Sequence, residues 1–189
     1  MQKISPSDQL SFGRTGTEMQ LYLRQTGKNE YGLDLGGLTI PAFIGRSGLI
    51  AAHQKREGDG ATPRGHWPLR EVFYRPDRIR RPQTTLPLTA LTPQHGWCDD
   101  PAAAAYNRLV SLPFEPSHEK LWRDDHAYDV MIPLGYNDNP VIASSGSAIF
   151  FHCLEDGRNH TEGCVAISRN QMQKLLPELS PDSVMIIDP

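Results

Sequence analysis

The chain has 189 residues, of which 38% are hydrophobic and 22% charged, with a formal net charge of -3 at pH 7. This length and composition allow one domain with a buried core, over residues 1–189, and exclude disorder or a long coiled coil. No apolar run approaches the length of a membrane span, so we expect no transmembrane segment. With 16 glycines and 16 prolines, the chain turns too often for a helical bundle, and short strands are favoured.

Basic residues concentrate between Arg46 and Arg81, where 9 Lys and Arg stand against 4 Asp and Glu. Such a segment could attract an acidic polymer, although a solvated surface is the more common origin of this pattern. The stretch from Arg75 to Arg81 lacks the interleaved aromatic residues of a single-strand binder. We therefore expect no nucleic-acid partner.

Hydrophobic alternation and turn residues predict a series of strands along the chain. A turn-rich loop is predicted at 57–65, where three glycines and a proline occur together. The predicted strands cover residues 19–24, 33–44 with a turn at 36–37, 48–52, 67–74, 128–134, 148–153 and 184–187.

Two helices are predicted. The segment 101–108 begins with proline, which suits a first helical position, and continues with four alanines. Ser168 and Gln171 form a capping box before a second helix, with Met172 and Leu175 on one buried face. Together these elements predict a mainly β fold with a few short helices.

The densest group of reactive side chains lies late in the chain. His152 ends a predicted strand, a polar loop follows, and Gly163 and Cys164 begin the next apolar run. A nearby imidazole lowers the pKa of a thiol and exchanges its proton, as a cysteine nucleophile requires. The glycine lets backbone N–H groups approach an oxyanion. A lone cysteine is nevertheless more often a small buried hydrophobe.

The odd number of cysteines leaves at least one thiol outside any intrachain disulfide. A disulfide between Cys98 and Cys153 stays open, with Cys164 free. His152, Cys153, His160 and Cys164 are also zinc-type ligands, but adjacent strand residues point to opposite faces and the spacing matches no common zinc pattern. We expect no metal and no cofactor.

Three segments in this order resemble the YkuD-type L,D-transpeptidase catalytic domain, over roughly residues 40–189. They are 58–65 (GDGATPRG), 146–152 (GSAIFFH) and 161–166 (TEGCVA). The segment 96–101, followed by Tyr106, Asn107 and Arg108, is similar to one subgroup of that family.

The resemblance implies a mostly β sandwich that acts on peptidoglycan stem peptides in cell-wall biogenesis and cell shape. A cysteine attacks the carbonyl of the third stem residue, usually diaminopimelate, and expels the terminal D-alanine. The amine of a second stem then resolves the thioester, giving a 3,3 or a 1,3 crosslink. Carried over, Cys164 is the nucleophile, His152 is its base, and Gly163 and Cys164 supply oxyanion N–H groups. Carbapenems typically acylate this cysteine.

The chain departs from the usual family signature, Ser-His-Gly-Cys followed by an arginine two residues after the cysteine. Thr161 and Glu162 replace the first two residues, and Ala166 stands where arginine is usual. These changes leave the substrate and the type of crosslink open. The candidate substrate-binding residues are Thr161, Glu162, Trp97, Arg108 and Ser147.

Other activities stay open. An L,D-carboxypeptidase or endopeptidase would hydrolyse the same bond, a peptidoglycan-binding module would keep the fold without catalysis, and a zinc hydrolase would need a metal. The expected partners are peptidoglycan stem peptides, and we expect a monomer. The substrate places the working site in the periplasm, although residues 1–20 show no signal-peptide pattern and a cytoplasmic location stays open.

Overall fold

The computed structural model describes residues 19–154 and 157–187. It contains one α-helix, α1 (Arg169–Leu175), and short 3-10 turns at Ala52–Gln54 and Leu176–Glu178 within this part of the chain. The strands, in chain order, are β1 (Gln20–Gly27), β2 (Glu30–Asp34), β3 (Thr39–Ala42), β4 (Leu49–Ala51), β5 (Thr62–Pro68), β6 (Val72–Tyr74), β7 (Leu88–Ala90), β8 (His95–Cys98), β9 (Leu109–Ser111), β10 (His118–Lys120), β11 (Val130–Pro133), β12 (Phe150–Cys153), β13 (Val165–Ile167) and β14 (Val184–Ile187).

The strands form three sheets. The first has the order β3-β2-β1-β14-β5-β4, the second has the order β13-β12-β11-β6-β7, and a small third sheet has the order β10-β8-β9. Backbone bridges between Phe43 and Ala166, and between Gly45 and Thr161, link the segment after β3 to the edge of the second sheet. The expected mainly β fold is confirmed.

Alternation along the second sheet separates a core face from a site face. In β12, Phe151 and Cys153 belong to the large hydrophobic core shared with the first sheet. Phe150 belongs instead to a smaller cluster on the opposite face, where Cys164 and Tyr128 also lie. Because strand side chains alternate with a period of two, His152 lies on the same face as Phe150.

Most predicted strands are observed, but the boundaries and the small sheet were missed. The strand pattern at 33–44 corresponds to β2 and β3 with a turn between them, and β14 lies where it was predicted. The predicted loop at 57–65 ends early, because β5 already begins at Thr62. Strands β7 to β10 are too short and too polar to show a periodic pattern.

The helix predicted at 101–108 is wrong, and turns occupy the segment. Asp100 starts them by accepting the Ala102 N–H on its side chain and the Ala103 N–H on its carbonyl. Asn107 then adopts a φ of 55°, which is incompatible with a right-handed helix. A run of four alanines is too short to hold a helix against these interactions.

The helix predicted after Ser168 is confirmed as α1. The Ser168 hydroxyl accepts the Gln171 backbone N–H, and Met172 and Leu175 are buried. Within the described residues, no helix has the length and apolar character needed to cross a membrane.

Candidate active site

Two cavities adjoin the turn that carries Cys164. The larger, about 970 Å³, is an open groove along β2 and β3 that reaches His160 and contains no cysteine. The smaller, about 560 Å³, also includes His160 and is lined by both Cys164 and His152. The smaller cavity, called the cysteine cavity below, is the candidate active site because it joins a thiol to an imidazole.

The thiol of Cys164 is held between two backbone groups. The Phe150 N–H donates to Sγ at 3.3 Å, and the thiol donates to the Ala148 carbonyl oxygen at 3.2 Å. The parallel pairing of β12 with β13 brings these groups to the residue just before β13. Burial raises the pKa of Cys164 to about 12, so the resting side chain is a protonated thiol at neutral pH.

His152 is held as a neutral base. Its Nδ1 lies 2.7 Å from the Cys153 carbonyl oxygen. A carbonyl only accepts, so Nδ1 carries the hydrogen and Nε2 keeps its lone pair. Burial lowers the pKa of His152 to about 4, which leaves the imidazole uncharged at neutral pH. This tautomer can take a proton from a substrate or a thiol through Nε2.

The turn from Thr161 to Cys164 is braced from within. The Thr161 hydroxyl donates to the Cys164 carbonyl at 2.7 Å and accepts the Gly163 N–H at 3.2 Å. The side chain of Thr161, predicted to bind substrate, is therefore engaged in the turn. So is the Gly163 N–H, which was predicted to face an oxyanion.

Glycine is required at position 163 for two reasons. Its φ is 139°, in the region that side chains disfavour, and a Cβ would lie 3.0 Å from the Ala61 carbonyl oxygen. The neighbouring Thr62 hydroxyl donates to the Gly163 carbonyl at 2.8 Å. The turn is thus packed directly against the start of β5.

A buried lysine and a glutamate form another wall of the cysteine cavity. Lys55 is 2% exposed, and its ammonium pairs with Asp59 at 2.5 Å. Glu57 accepts hydrogen bonds from the hydroxyls of Tyr106 and Ser147, the latter at 2.7 Å. Ser147, predicted to bind substrate, does line the cavity.

Trp97 and Arg108 lie away from the lining of the cysteine cavity. The Trp97 ring packs edge-on against Phe150 with centroids 5.1 Å apart, and its indole N–H donates to Asn107. Arg108 donates to the Asp138 carbonyl at 2.7 Å. Trp97 and Arg108 are therefore not brought to this cavity, and their role in substrate binding stays a prediction.

Glu162 lies on the rim of the cysteine cavity. Its carboxylate pairs with Arg46 at 3.0 Å, and the two side chains are 65% and 45% exposed. An ion pair this exposed contributes little to stability. The Glu162 carboxylate is largely exposed to solvent, and its role in substrate binding stays a prediction.

The remaining wall contains a tyrosine and two charged residues that sequence analysis missed. The Tyr128 hydroxyl donates to Glu119 at 2.6 Å, and the Tyr128 ring lies edge-on to His152 with centroids 5.3 Å apart. Arg123 pairs with Glu119 and Asp125. No local sequence pattern marks these residues, because they are distant from Cys164 in the sequence and approach it only in the folded protein.

The three cysteines are free thiols. The open disulfide between Cys98 and Cys153 is therefore not formed. Cys153 faces the large core while His152 faces the cysteine cavity, as their adjacent positions in a strand predicted. Among the described residues, no three His, Cys, Asp or Glu side chains are arranged to hold a metal ion.

Comparison with known proteins identifies the family. The model of the L,D-transpeptidase catalytic domain, YkuD, matches residues 17–187, a longer stretch than the resemblance suggested. No curated protein and no solved structure matches the chain. Since the family model covers most of the chain, the protein belongs to the L,D-transpeptidase catalytic domain family, whose members are cysteine-dependent L,D-transpeptidases.

Proposed function

We propose that this protein is a peptidoglycan L,D-transpeptidase in which Cys164 is the nucleophile and His152 the general base. One observation carries the proposal. The Cys164 thiol and the His152 imidazole line one cavity, and the thiol is oriented by two backbone hydrogen bonds. Family membership supports the substrate class and the reaction type.

The first half-reaction forms a thioester. Sγ of Cys164 attacks the carbonyl carbon of the third stem residue while Nε2 of His152 takes the thiol proton. The tetrahedral intermediate then collapses, the C–N bond to the terminal D-alanine breaks, and the imidazolium returns the proton to the leaving amine. Because burial disfavours both the thiolate and the imidazolium, proton transfer and attack occur together.

The negative charge that develops on the carbonyl oxygen needs a hydrogen-bond donor. We assign the N–H of Cys164 to this role, because no described side chain accepts from it. The Gly163 N–H becomes a second donor when its weak 3.2 Å hydrogen bond to Thr161 opens.

The second half-reaction runs the steps of thioester formation in reverse. A stem-peptide amine attacks the thioester, His152 relays its proton to the departing sulfur, and one new amide forms.

The products decide between transfer and hydrolysis. An amine acceptor gives a crosslinked dimer, with a 3,3 or a 1,3 link set by the position of that amine. Water as acceptor gives a trimmed monomer and makes the protein a carboxypeptidase. We place this activity in the periplasm, where stem peptides occur.

The test is covalent trapping followed by product analysis. A carbapenem incubated with the parent protein should add its mass to the intact chain. The adduct should be absent from Cys164→Ala and present in Cys98→Ala, a matched loss of another buried thiol. Stem tetrapeptides should then yield dimers by mass spectrometry. Absence of any adduct or acyl-enzyme in the folded, reduced parent would refute the proposal, and the binding module would replace it.

A further inference from the structure

A further cavity, away from the cysteine cavity, is lined by basic side chains. It has a volume of about 330 Å³ and is called the arginine pocket below. Its polar lining residues are Arg78, Arg80, Gln83, Arg169 and Gln173, and no Asp or Glu among the described residues lines it. Two of the three arginines come from the basic segment 46–81, so part of the excess positive charge of that segment collects at this pocket.

The arginine pocket lies at the opposite end of the second sheet from the cysteine. Arg169 follows the end of β13 and Arg78 follows the end of β6, whereas Cys164 precedes the start of β13. Strands β6 and β13 run in the same direction, because β6 and β12 are both antiparallel to β11 and β13 is parallel to β12. The two cavities share no lining residue, so the arginine pocket is a separate site.

Two of the pocket arginines share a single carboxylate. Asp129 is fully buried, and its two oxygens pair with Arg78 and with Arg169, each at 3.0 Å. His126 Nδ1 lies 2.9 Å from the second of these oxygens. One carboxylate therefore holds two guanidinium groups close together and neutralises only one of the two charges. The Arg78 and Arg169 side chains are 20% and 37% exposed, so their remaining donors stay accessible to solvent.

The third arginine of the pocket is not engaged within the protein. Arg80 is exposed, and its side chain has no hydrogen-bond or ion-pair partner in the part of the chain that the structure describes. The nearby carboxylate of Asp77 pairs with Arg75 at 2.9 Å. A guanidinium carries five N–H donors in a planar fork. The Arg80 side chain therefore offers both charge and donors to a ligand.

A phosphate group matches this arrangement better than a carboxylate. Guanidinium groups stay charged and bind phosphate through paired N–H···O bonds. A phosphate presents several acceptor oxygens around a tetrahedral centre, so arginines from different segments can bind it together. The fork of one arginine already matches both oxygens of a carboxylate. With about 330 Å³ the pocket has the size of a small-molecule site, which leaves room for the group esterified to the phosphate.

A membrane surface matches the pocket less well. Binding to an anionic bilayer combines basic residues with exposed apolar side chains that enter the lipid. The large hydrophobic side chains that are exposed among the described residues are Leu38, Leu109 and Ile142, and none of them lines the pocket. The charge is therefore presented in a cavity without a neighbouring apolar anchor.

We propose that the arginine pocket binds a phosphate ester, carried by a small molecule or by a phosphate-bearing polymer, at a site separate from Cys164. Arg80 donates to the phosphate with its unengaged guanidinium. Arg78 and Arg169 add the positive charge that their shared carboxylate leaves unneutralised. The proposal concerns a second site and does not depend on the chemistry at the cysteine.

The test is a calorimetric titration with one phosphate chemistry in three forms. These are glycerol 3-phosphate, poly(glycerol phosphate), and vesicles of phosphatidylglycerol mixed with phosphatidylcholine. The parent protein should bind at least one of the two soluble forms. Tighter binding of the polymer per phosphate assigns the site to a polymer, and equal binding per phosphate assigns it to a small molecule.

Two adjacent arginines give a matched pair of variants. Arg80→Ala should weaken binding by about tenfold or more, the size expected for a charged hydrogen bond. Arg81→Ala removes the same charge from an exposed residue that does not line the pocket, and should weaken binding by less than about twofold, because solvent screens its charge. Because Arg80 has no partner in the described part of the fold, Arg80→Ala should keep the thermal stability and the carbapenem acylation of the parent.

The proposal is overturned if Arg80→Ala and Arg81→Ala weaken binding equally, since the attraction would then come from overall charge and not from the pocket. It is also overturned if neither soluble form binds the parent, whether or not the vesicles do. Failure of the proposed function would look different, because the parent would then form no acyl-enzyme while its titration with phosphate esters stayed unchanged.

Discussion

Asn107 holds Ala148 in place through a hydrogen bond of 3.1 Å from the Ala148 N–H to the Asn107 side-chain oxygen. The carbonyl of the same Ala148 accepts the Cys164 thiol. Ala148 has a φ of 53°, which a non-glycine residue keeps only where its surroundings impose it. Asn107 thus acts on the cysteine through one intervening residue, as a positioning residue.

Asn107→Ala should destabilise the protein and slow acylation of Cys164. The substitution leaves the Trp97 and Ala148 N–H groups without their acceptor and puts alanine at a positive φ that asparagine tolerates better. We expect a loss of about 2 to 4 kcal/mol in the free energy of unfolding by urea titration. Asn107→Gly should recover about 1 kcal/mol of that loss by relieving the backbone, without restoring the acylation rate. Parent-like acylation in both variants would contradict this role.

The stability of the protein should depend on the protonation of His152. The pKa of His152 is about 4 in the fold and 6.5 in the unfolded chain, so the unfolded chain binds more protons between these values. The free energy of unfolding should therefore fall by about 3 kcal/mol from this group as the pH drops from 6.5 to 4. Urea titrations of the parent and His152→Gln across this range isolate the contribution. Parallel curves for the two proteins would exclude a buried neutral imidazole.

Thr161→Val should loosen the turn that presents the cysteine. Valine keeps the shape of threonine but removes the hydroxyl that binds the Cys164 carbonyl and the Gly163 N–H. The Cys164 carbonyl then keeps only the longer 3.4 Å hydrogen bond from the Thr62 hydroxyl, so we expect a loss of about 1 kcal/mol in the free energy of unfolding. Thr161→Ser keeps the hydroxyl and should stay close to the parent in thermal unfolding and carbapenem acylation. Equal thermal stability and equal acylation rates in the two variants would show that the Thr161 hydroxyl does not stabilise the turn.

Gly45→Ala should force the cysteine turn away from the neighbouring chain. A Cβ at position 45 would lie 2.3 Å from the Gly60 carbonyl oxygen and 3.0 Å from the Gly163 Cα, and neither backbone atom can move alone. We expect a loss of about 1 to 3 kcal/mol in unfolding free energy and a lower acylation rate. Gly27→Ala is the control, since its Cβ would meet the flexible end of Glu30. An unaffected Gly45→Ala protein would mean that the two segments are less closely packed.

The candidate site shows where sequence reasoning succeeds. Because side chains alternate between the two faces of a strand, the sequence alone predicted that His152 and Cys153 point to opposite faces of β12. In the fold His152 lines the cysteine cavity and Cys153 lies in the large core. The capping box at Ser168 likewise predicted α1, because the interactions of a helix start are local.

Sequence reasoning failed where distant contacts override local preference. The alanines after Asp100 favour a helix. The Asn107 side chain, however, accepts hydrogen bonds from the Trp97 indole N–H and the Ala148 N–H and donates to two backbone carbonyls, and the segment forms turns instead. Trp97 was predicted to bind substrate, and in the fold its ring packs against Phe150. The sequence shows that residue 97 is aromatic, but it does not show which residues the ring packs against.

The sequence by itself determined the mainly β class, the family and the two residues that we propose for catalysis, since periodicity and motif spacing are properties of short segments. Only the tertiary structure decided what surrounds Cys164. Lys55, Asp99 and Glu119 are far from it in the chain, and they reach the cysteine cavity through sheet pairing and packing. The fold also decides which carboxylates of the cavity have a hydrogen-bond or ion-pair partner, because those partners come from distant segments that no local sequence pattern specifies.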